Sequence, residues 1–309
     1  MSVPNLVSDR SPLPSLLIIL LNVFLGVVVG QVLGIEMASL LYDGNLLNDI
    51  QSNRPGIYVP LLIMLGSGTL IGFIIFPIVH LVAIERKRIS PFFPHQHKTL
   101  FALFLVMALG LTFIVTISPL AEWNMNMEFP NFLKGVESWA REAEDKAAEL
   151  TKAMTSFASV GDLVLGLIVI ALLPAIGEEL VFRGLFQNEF FRGSGNIHLS
   201  IWMAAIIFSA IHLQFYGFVP RLLLGALFGY LYYWSGNLLI PMFAHFFNNA
   251  FGVIMVYLHR QEITDLNVED NVAAPLQYVI LNAVLTAGLL YYIWRHYRQL
   301  PGQTSDPSY

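Results

Sequence analysis

Apolar residues run along this chain in blocks parted by short polar stretches, at roughly 13–34, 58–83, 99–118, 161–183, 197–213, 219–234, 238–258 and 275–294. Each block is close to the ~20 residues that an α-helix needs to cross a hydrocarbon core of about 30 Å. The pattern predicts an all-α fold, a polytopic transmembrane bundle of about eight helices. One stretch keeps a different rhythm. Between 119 and 158, Val136, Ala140, Ala143, Ala147, Leu150, Met154 and Phe157 recur at steps of four and three, with Glu137, Glu142, Glu144 and Asp145 expected on the wet side. That stripe predicts an extramembrane amphipathic helix over about 130–157, packed on the bundle or lying at the membrane surface, with a lid or partner site as the alternative.

Composition agrees with a membrane protein. Of 309 residues, 56% are hydrophobic and only 12% are charged, well outside the range of soluble domains. A net charge of -5 with no basic stripe sets nucleic acid aside as a partner. No cysteine is present, which excludes disulfides, thiolate metal sites and cysteine nucleophiles. The first block is expected to be a retained helix, since no small-residue cleavage site precedes its polar flank. Arg10, then Arg86, Lys87, Arg88 and Lys98, then Arg192, then Arg295 and Arg298 fall on one side of the predicted membrane. Arg54, Arg221 and Arg260 fall on the other, together with Lys134, Arg141, Lys146 and Lys152 of the long loop. This bias predicts cytoplasmic termini in a cell (plasma) membrane. The chain divides into N-terminal helices plus the amphipathic segment (1–158), a second helical unit (159–295) and a tail, "PGQTSDPSY" included, expected to be disordered (296–309).

Ionisable and strongly polar side chains gather inside the blocks of the second half: Glu178, Glu179, Arg183, His212, His245, Asn248 and Asn249. Charges at bilayer depth cost at least about 2.5–3.5 kcal/mol each, so they normally face the bundle interior and mark function. Glu179 and Arg183 are four apart and can pair on one helical face. Glu178 is turned about 100° from Glu179 and is left to meet other helices. His245 and Asn249 are also four apart, an imidazole and an amide on one face. Rise per residue puts Glu178, His212 and Asn249 at comparable depth, roughly 18–22 Å from the cytoplasmic ends of their helices. A buried carboxylate can take a proton from water, a histidine can hold that water, and histidine plus asparagine can stabilise an oxyanion. These are the parts of a peptide hydrolase without a covalent nucleophile. Asn248 is expected to act as interhelical glue and Phe208 as packing. His95, His97, His198, His259 and His296 fall in loops or at helix ends and receive no role.

"EELVFR" (178–183), "FSAIH" (208–212) and "HFFNN" (245–249), in that order, resemble the E-E-x-x-x-R, F-x-x-x-H and H-x-x-x-N/D motifs of the CAAX prenyl protease type II and bacteriocin-processing (CPBP, or Abi) family of intramembrane proteases. The resemblance covers roughly 160–258. It implies an intramembrane endopeptidase acting near the C-terminal end of a membrane-associated or lipidated, CAAX-like peptide. Glu178 and His212 would then activate water, His245 and Asn249 would line the oxyanion hole, and Glu179 with Arg183 would organise the site. Peptide substrate and membrane lipid are the implied partners. Cofactor use stays open: a glutamate-dependent mechanism needs none, yet Glu178, His212 and His245 could supply a two-histidine, one-carboxylate zinc set. Two other classes use the same residues, a proton- or ion-coupled transporter and a scaffold that binds membrane partners without cutting them.

Overall fold

A computed structural model of the chain describes residues 10–51, 56–94, 99–157, 159–270 and 272–298. Every apolar block forms a helix. In chain order the long helices are α1 (Pro12–Leu41), α2 (Tyr58–Ile84), α3 (Thr99–Met125), α4 (Lys134–Met154), α5 (Val160–Ser194), α6 (Ile197–Ala210), α7 (Phe218–Ser235), α8 (Leu239–Arg260) and α9 (Leu276–Arg298). There is no strand among the described residues. Seven of these helices are long and apolar enough to cross a membrane, while α6 has only 14 residues. The chain is an integral, multi-pass helical bundle. Two boundaries differ from expectation. Block 197–213 ends as helix at Ala210, so His212 sits in the turn that follows, and the expected tail begins later because α9 runs on to Arg298. Arg54, His95, His97, Lys98 and residues 299–309 lie outside the described residues.

Helix contacts follow from side-chain size. α1 buries Ser15, Ile19, Val23, Gly26, Gly30, Gly34 and Ala38, one narrow seam of mostly small residues. This seam lets its backbone touch that of α2: a Cβ on Gly30 would stand 2.5 Å from the Ser67 carbonyl oxygen and 2.8 Å from Gly68 Cα. Close backbone approach of this kind substitutes for hydrophobic driving force inside lipid. Leu17, Leu20, Leu21 and Phe24 of the same helix remain exposed, as a lipid-facing surface requires. α3 and α9 meet through hydroxyls, with Thr286 bonded to Thr112 and Thr116 at 3.0 and 3.1 Å. α5 lies at the centre, against α2, α6 and α8.

The amphipathic helix forms over Lys134–Met154, and its sheltered face takes in Ala140, Ala143, Ala147 and Met154 of the predicted stripe, though not the whole of it. Ala140 is fully buried and Phe157 just beyond the helix is too, whereas Val136 and Leu150 are 48% and 45% exposed. Arg141 and Glu144 turn inward beside those alanines. The reason is the surface on which α4 docks, which is the polar connection between α6 and α7. The Arg141 guanidinium stacks 3.7 Å from the Tyr216 ring centre and donates to the Met125 and Met127 carbonyls. Gln214 of that connection donates to Glu144 Oε1 at 3.4 Å. The far end of α4 is clamped by Arg260, which donates to the Thr155 carbonyl at 2.5 Å, and by Phe157, whose ring packs edge-on against Tyr58 and Tyr257.

Candidate active site

The site grows out of irregularity in α5. Two π-helical stretches, Leu167–Leu172 and Leu180–Gln187, flank an α-helical turn, Leu173–Glu179, that carries Pro174 and both glutamates. Pro174 has no N–H to give to the Ile170 carbonyl four residues earlier. Asn249 of α8 approaches that carbonyl, its Nδ2 donating at 3.5 Å. Local π geometry of this kind recurs at functional sites because it re-aims side chains and frees backbone acceptors.

Glu179 and Arg183 pair as their spacing predicts, with Arg183 Nη1 donating to Glu179 Oε1 at 2.7 Å; both are essentially unexposed. Arg183 Nη2 donates to the Gly225 carbonyl of α7 at 2.8 Å, and one turn further on Gln187 donates to the Gly229 carbonyl at 3.2 Å. Gly229 admits this approach, since a Cβ there would stand 2.8 Å from Ile201 and 2.9 Å from the Gln187 side chain, while a Cβ on Gly225 would meet Ala205 and Phe208 of α6 at 3.1 Å. The Arg183 guanidinium also lies 4.8 Å from the Phe208 ring centre and 5.4 Å from that of Phe228. A charge this deep is tolerable only because partners surround it on every side.

His245 links the two glutamates. Its Nδ1 donates to Glu179 Oε1 at 2.8 Å, and its Nε2 lies 3.8 Å from Glu178 Oε2. Phe228 stacks on the imidazole with ring centres 5.1 Å apart, and Phe208 meets it edge-on. The ring is therefore fixed, with Nε2 directed at Glu178. His212 is fixed differently. Phe208, in the last turn of α6, has a carbonyl with no helical partner, and His212 Nδ1 donates to it at 2.8 Å. In the neutral ring this leaves Nε2 as an acceptor.

Glu178, His212, His245, Asn248 and Asn249 line one cavity of about 560 Å³, whose apolar wall includes Ile170, Pro174, Phe208 and Phe228. The sequence expectation that Glu178 escapes the Glu179–Arg183 pair and meets other helices agrees with this arrangement. The side chain within reach of Glu178 differs from the expected one: it is His245 of α8, while His212 shares the cavity. Asn248 also departs from its expected role as glue, since it lines the cavity and donates to Asn249 Oδ1 at 3.3 Å. Arg221 and Glu144 line the cavity too. Their positions in the sequence, a loop charge and the wet face of α4, predict neither, and nothing in their spacing signals otherwise. Glu178, His212 and His245 are not gathered into a metal-holding group; among the described residues no such group of three exists.

Fold and site together define a multi-pass membrane protein with a cavity of mixed polar and apolar lining between its helices. Residues 160–251, from the start of α5 to the middle of α8, match the model of the family described as Type II CAAX prenyl endopeptidase Rce1-like, so the resemblance carried by the three motifs is shown over this segment. A 110-residue stretch is 35% identical to the uncharacterized protein YpbD of Bacillus subtilis (strain 168), covering 34% of this chain and 53% of that protein. The chain thus spans about half the length of this curated relative. No solved structure matches it. The matched segment contains Glu178, Glu179, Arg183, His212, His245 and Asn249.

Proposed function

We propose that this protein is an intramembrane endopeptidase that hydrolyses a peptide bond near the C-terminus of a membrane-associated or lipidated peptide, in a cell membrane with both termini cytoplasmic. One observation carries the reading: Glu178, His212, His245 and Asn249, from three separate parts of the fold, line a single cavity within the bundle. Water held between Glu178 and His212 Nε2 gives its proton to the Glu178 carboxylate, and its oxygen attacks the scissile carbonyl carbon. The carbonyl π electrons move onto oxygen. Asn249 Nδ2 and, in its imidazolium form, His245 Nε2 donate to that oxyanion. The proton taken by Glu178 then passes to the leaving nitrogen as the C–N bond breaks, so Glu178 ends as it began. Glu179 and Arg183 take no proton; they hold the His245 ring through Nδ1. The steps above do not require a metal ion.

The test is cleavage of a prenylated or lipidated peptide library by the purified protein, with Glu178→Gln and His212→Ala as controls. Wild type is expected to cut and both variants to fail. No cutting by wild type, or equal cutting by all three, would sink the reading. A chelator added to the same assay is expected to leave the rate unchanged; complete loss restored by zinc would establish a metal-dependent route.

A further inference from the structure

Arg183 and Arg221 are both arginines inside the bundle, and only Arg183 is in salt-bridge contact with a carboxylate. Arg183 pairs with Glu179. Arg221, in the first turn of α7, donates from Nη2 to Gln214 Oε1 at 2.8 Å, while its Nη1 is buried without a hydrogen-bond partner. Gln214 in turn donates to Glu144 Oε1 at 3.4 Å, and Glu144 Oε2 is likewise buried without a hydrogen-bond partner. One amide side chain therefore separates a cationic donor from a carboxylate acceptor, and both line the cavity that holds Glu178 and His212. Leu65, Ile170, Pro174, Leu224 and Phe228 supply apolar wall to the same space. A buried guanidinium with an open N–H is costly unless something fills it, and its fork geometry matches a carboxylate.

We propose that Arg221 anchors a carboxylate of the bound peptide, with Glu144 of α4 accepting an N–H from the same peptide residue. The terminal residue of a peptide offers both groups side by side, an anionic carboxylate and its own amide N–H; an aspartate or glutamate side chain offers a second source of the carboxylate. α4 then forms part of the binding site and is more than a support packed on the bundle. This assignment deepens the hydrolase reading and rests on it for the bond that is cut, but the anchoring step is a binding event and can be measured alone.

The experiment uses full-length protein bearing Glu178→Gln, which keeps peptide uncut, and three peptides of one sequence: free acid, C-terminal amide, and amide with one internal glutamate. The free acid is expected to bind roughly 10- to 100-fold more tightly than the amide, the range of a charged hydrogen bond. Adding Arg221→Gln is expected to bring this preference close to one, while Arg221→Lys, which keeps the cation but not the fork, retains part of it. Preferential binding of the internal-glutamate peptide would assign the carboxylate to a side chain. Equal binding of all three peptides by the Arg221 protein, or a carboxylate preference that survives in Arg221→Gln, would overturn the proposal. Should wild type bind the acid preferentially through Arg221 yet cut no peptide, the carboxylate site would stand and the hydrolase reading would fall.

Discussion

α1 and α5 are close to indistinguishable by hydropathy, at 2.7 and 2.4 over their best windows, yet they bury opposite kinds of residue. The seam of α1 is small and almost wholly nonpolar, and it brings backbone against backbone. The equivalent interior of α5 holds Glu179, Arg183, Gln187, Asn188 and Glu189, all buried. Mean hydropathy decides only that a helix enters the membrane. What lies on its buried face decides whether it serves packing alone or also chemistry, because a buried charge must be surrounded by partners built from neighbouring helices.

The comparison can be broken by exchanging the two kinds of defect. Arg183→Met is expected to have the largest effect on stability, on the order of 3–5 kcal/mol, since Glu179 would keep its charge at full burial with only His245 beside it. Thermal unfolding in detergent measures this, and Glu179→Gln in the same chain is expected to recover much of the loss. Gly30→Leu in α1 should cost less, about 1–3 kcal/mol, by forcing α1 from α2. Its kcat, measured on folded protein, should match wild type, and a large fall in kcat would show that the α1 seam shapes the site.

Asn124, at the end of α3, tests the connection between α6 and α7. It is fully buried, donates to the Phe215 carbonyl at 3.1 Å and accepts from the Val219 amide at 2.9 Å. Asn124→Ala is expected to cost on the order of 1 kcal/mol and to raise hydrogen exchange across 213–219, where an unchanged exchange pattern would contradict the bridging role. The smallest effect concerns α4. Burial holds the Glu144 carboxyl above the usual carboxylate range, opposed by the Tyr216 backbone and Arg221. A carboxyl whose docked value is raised favours docking while protonated. Docking of α4 should therefore weaken as pH rises from the ordinary carboxylate value through the raised one. Exchange of α4 amides across that window should show this slope in wild type and lose it in Glu144→Gln.

Much of this difference between α1 and α5 was legible in the chain. Apolar block lengths gave the helices, and the four-residue spacings gave the Glu179–Arg183 pair. Rise per residue put Glu178, His212 and Asn249 at comparable depth, and the three ordered motifs added His245 to the same expected site. That Arg221 and Glu144 join the cavity, and that His245 stands nearest Glu178, was not legible, because convergence depends on helix rotation and on π-helical stretches that a 3.6-residue count does not contain. The same limit applies to α4. A stripe of alanines predicts the amphipathic helix, but only the docked partner reveals that Arg141 and Glu144 face inward, toward Tyr216 and Gln214. The "GALFG" spacing of Gly225 and Gly229 was a readable signal for the close packing of α7 on α6, which also brings their carbonyls to Arg183 and Gln187 of α5.

Adjacent in sequence, Glu178 and Glu179 carry the contrast between chemistry and support to its smallest scale. Turnover of a lipidated peptide by Glu178→Gln and Glu179→Gln, each measured beside its unfolding midpoint, tests the division most directly. Water activation by Glu178 predicts that Glu178→Gln lowers kcat by about 10²- to 10⁴-fold at an unchanged midpoint, while Glu179→Gln lowers the midpoint as well as the rate. A Glu178→Gln protein that turns over within a few-fold of wild type would contradict it.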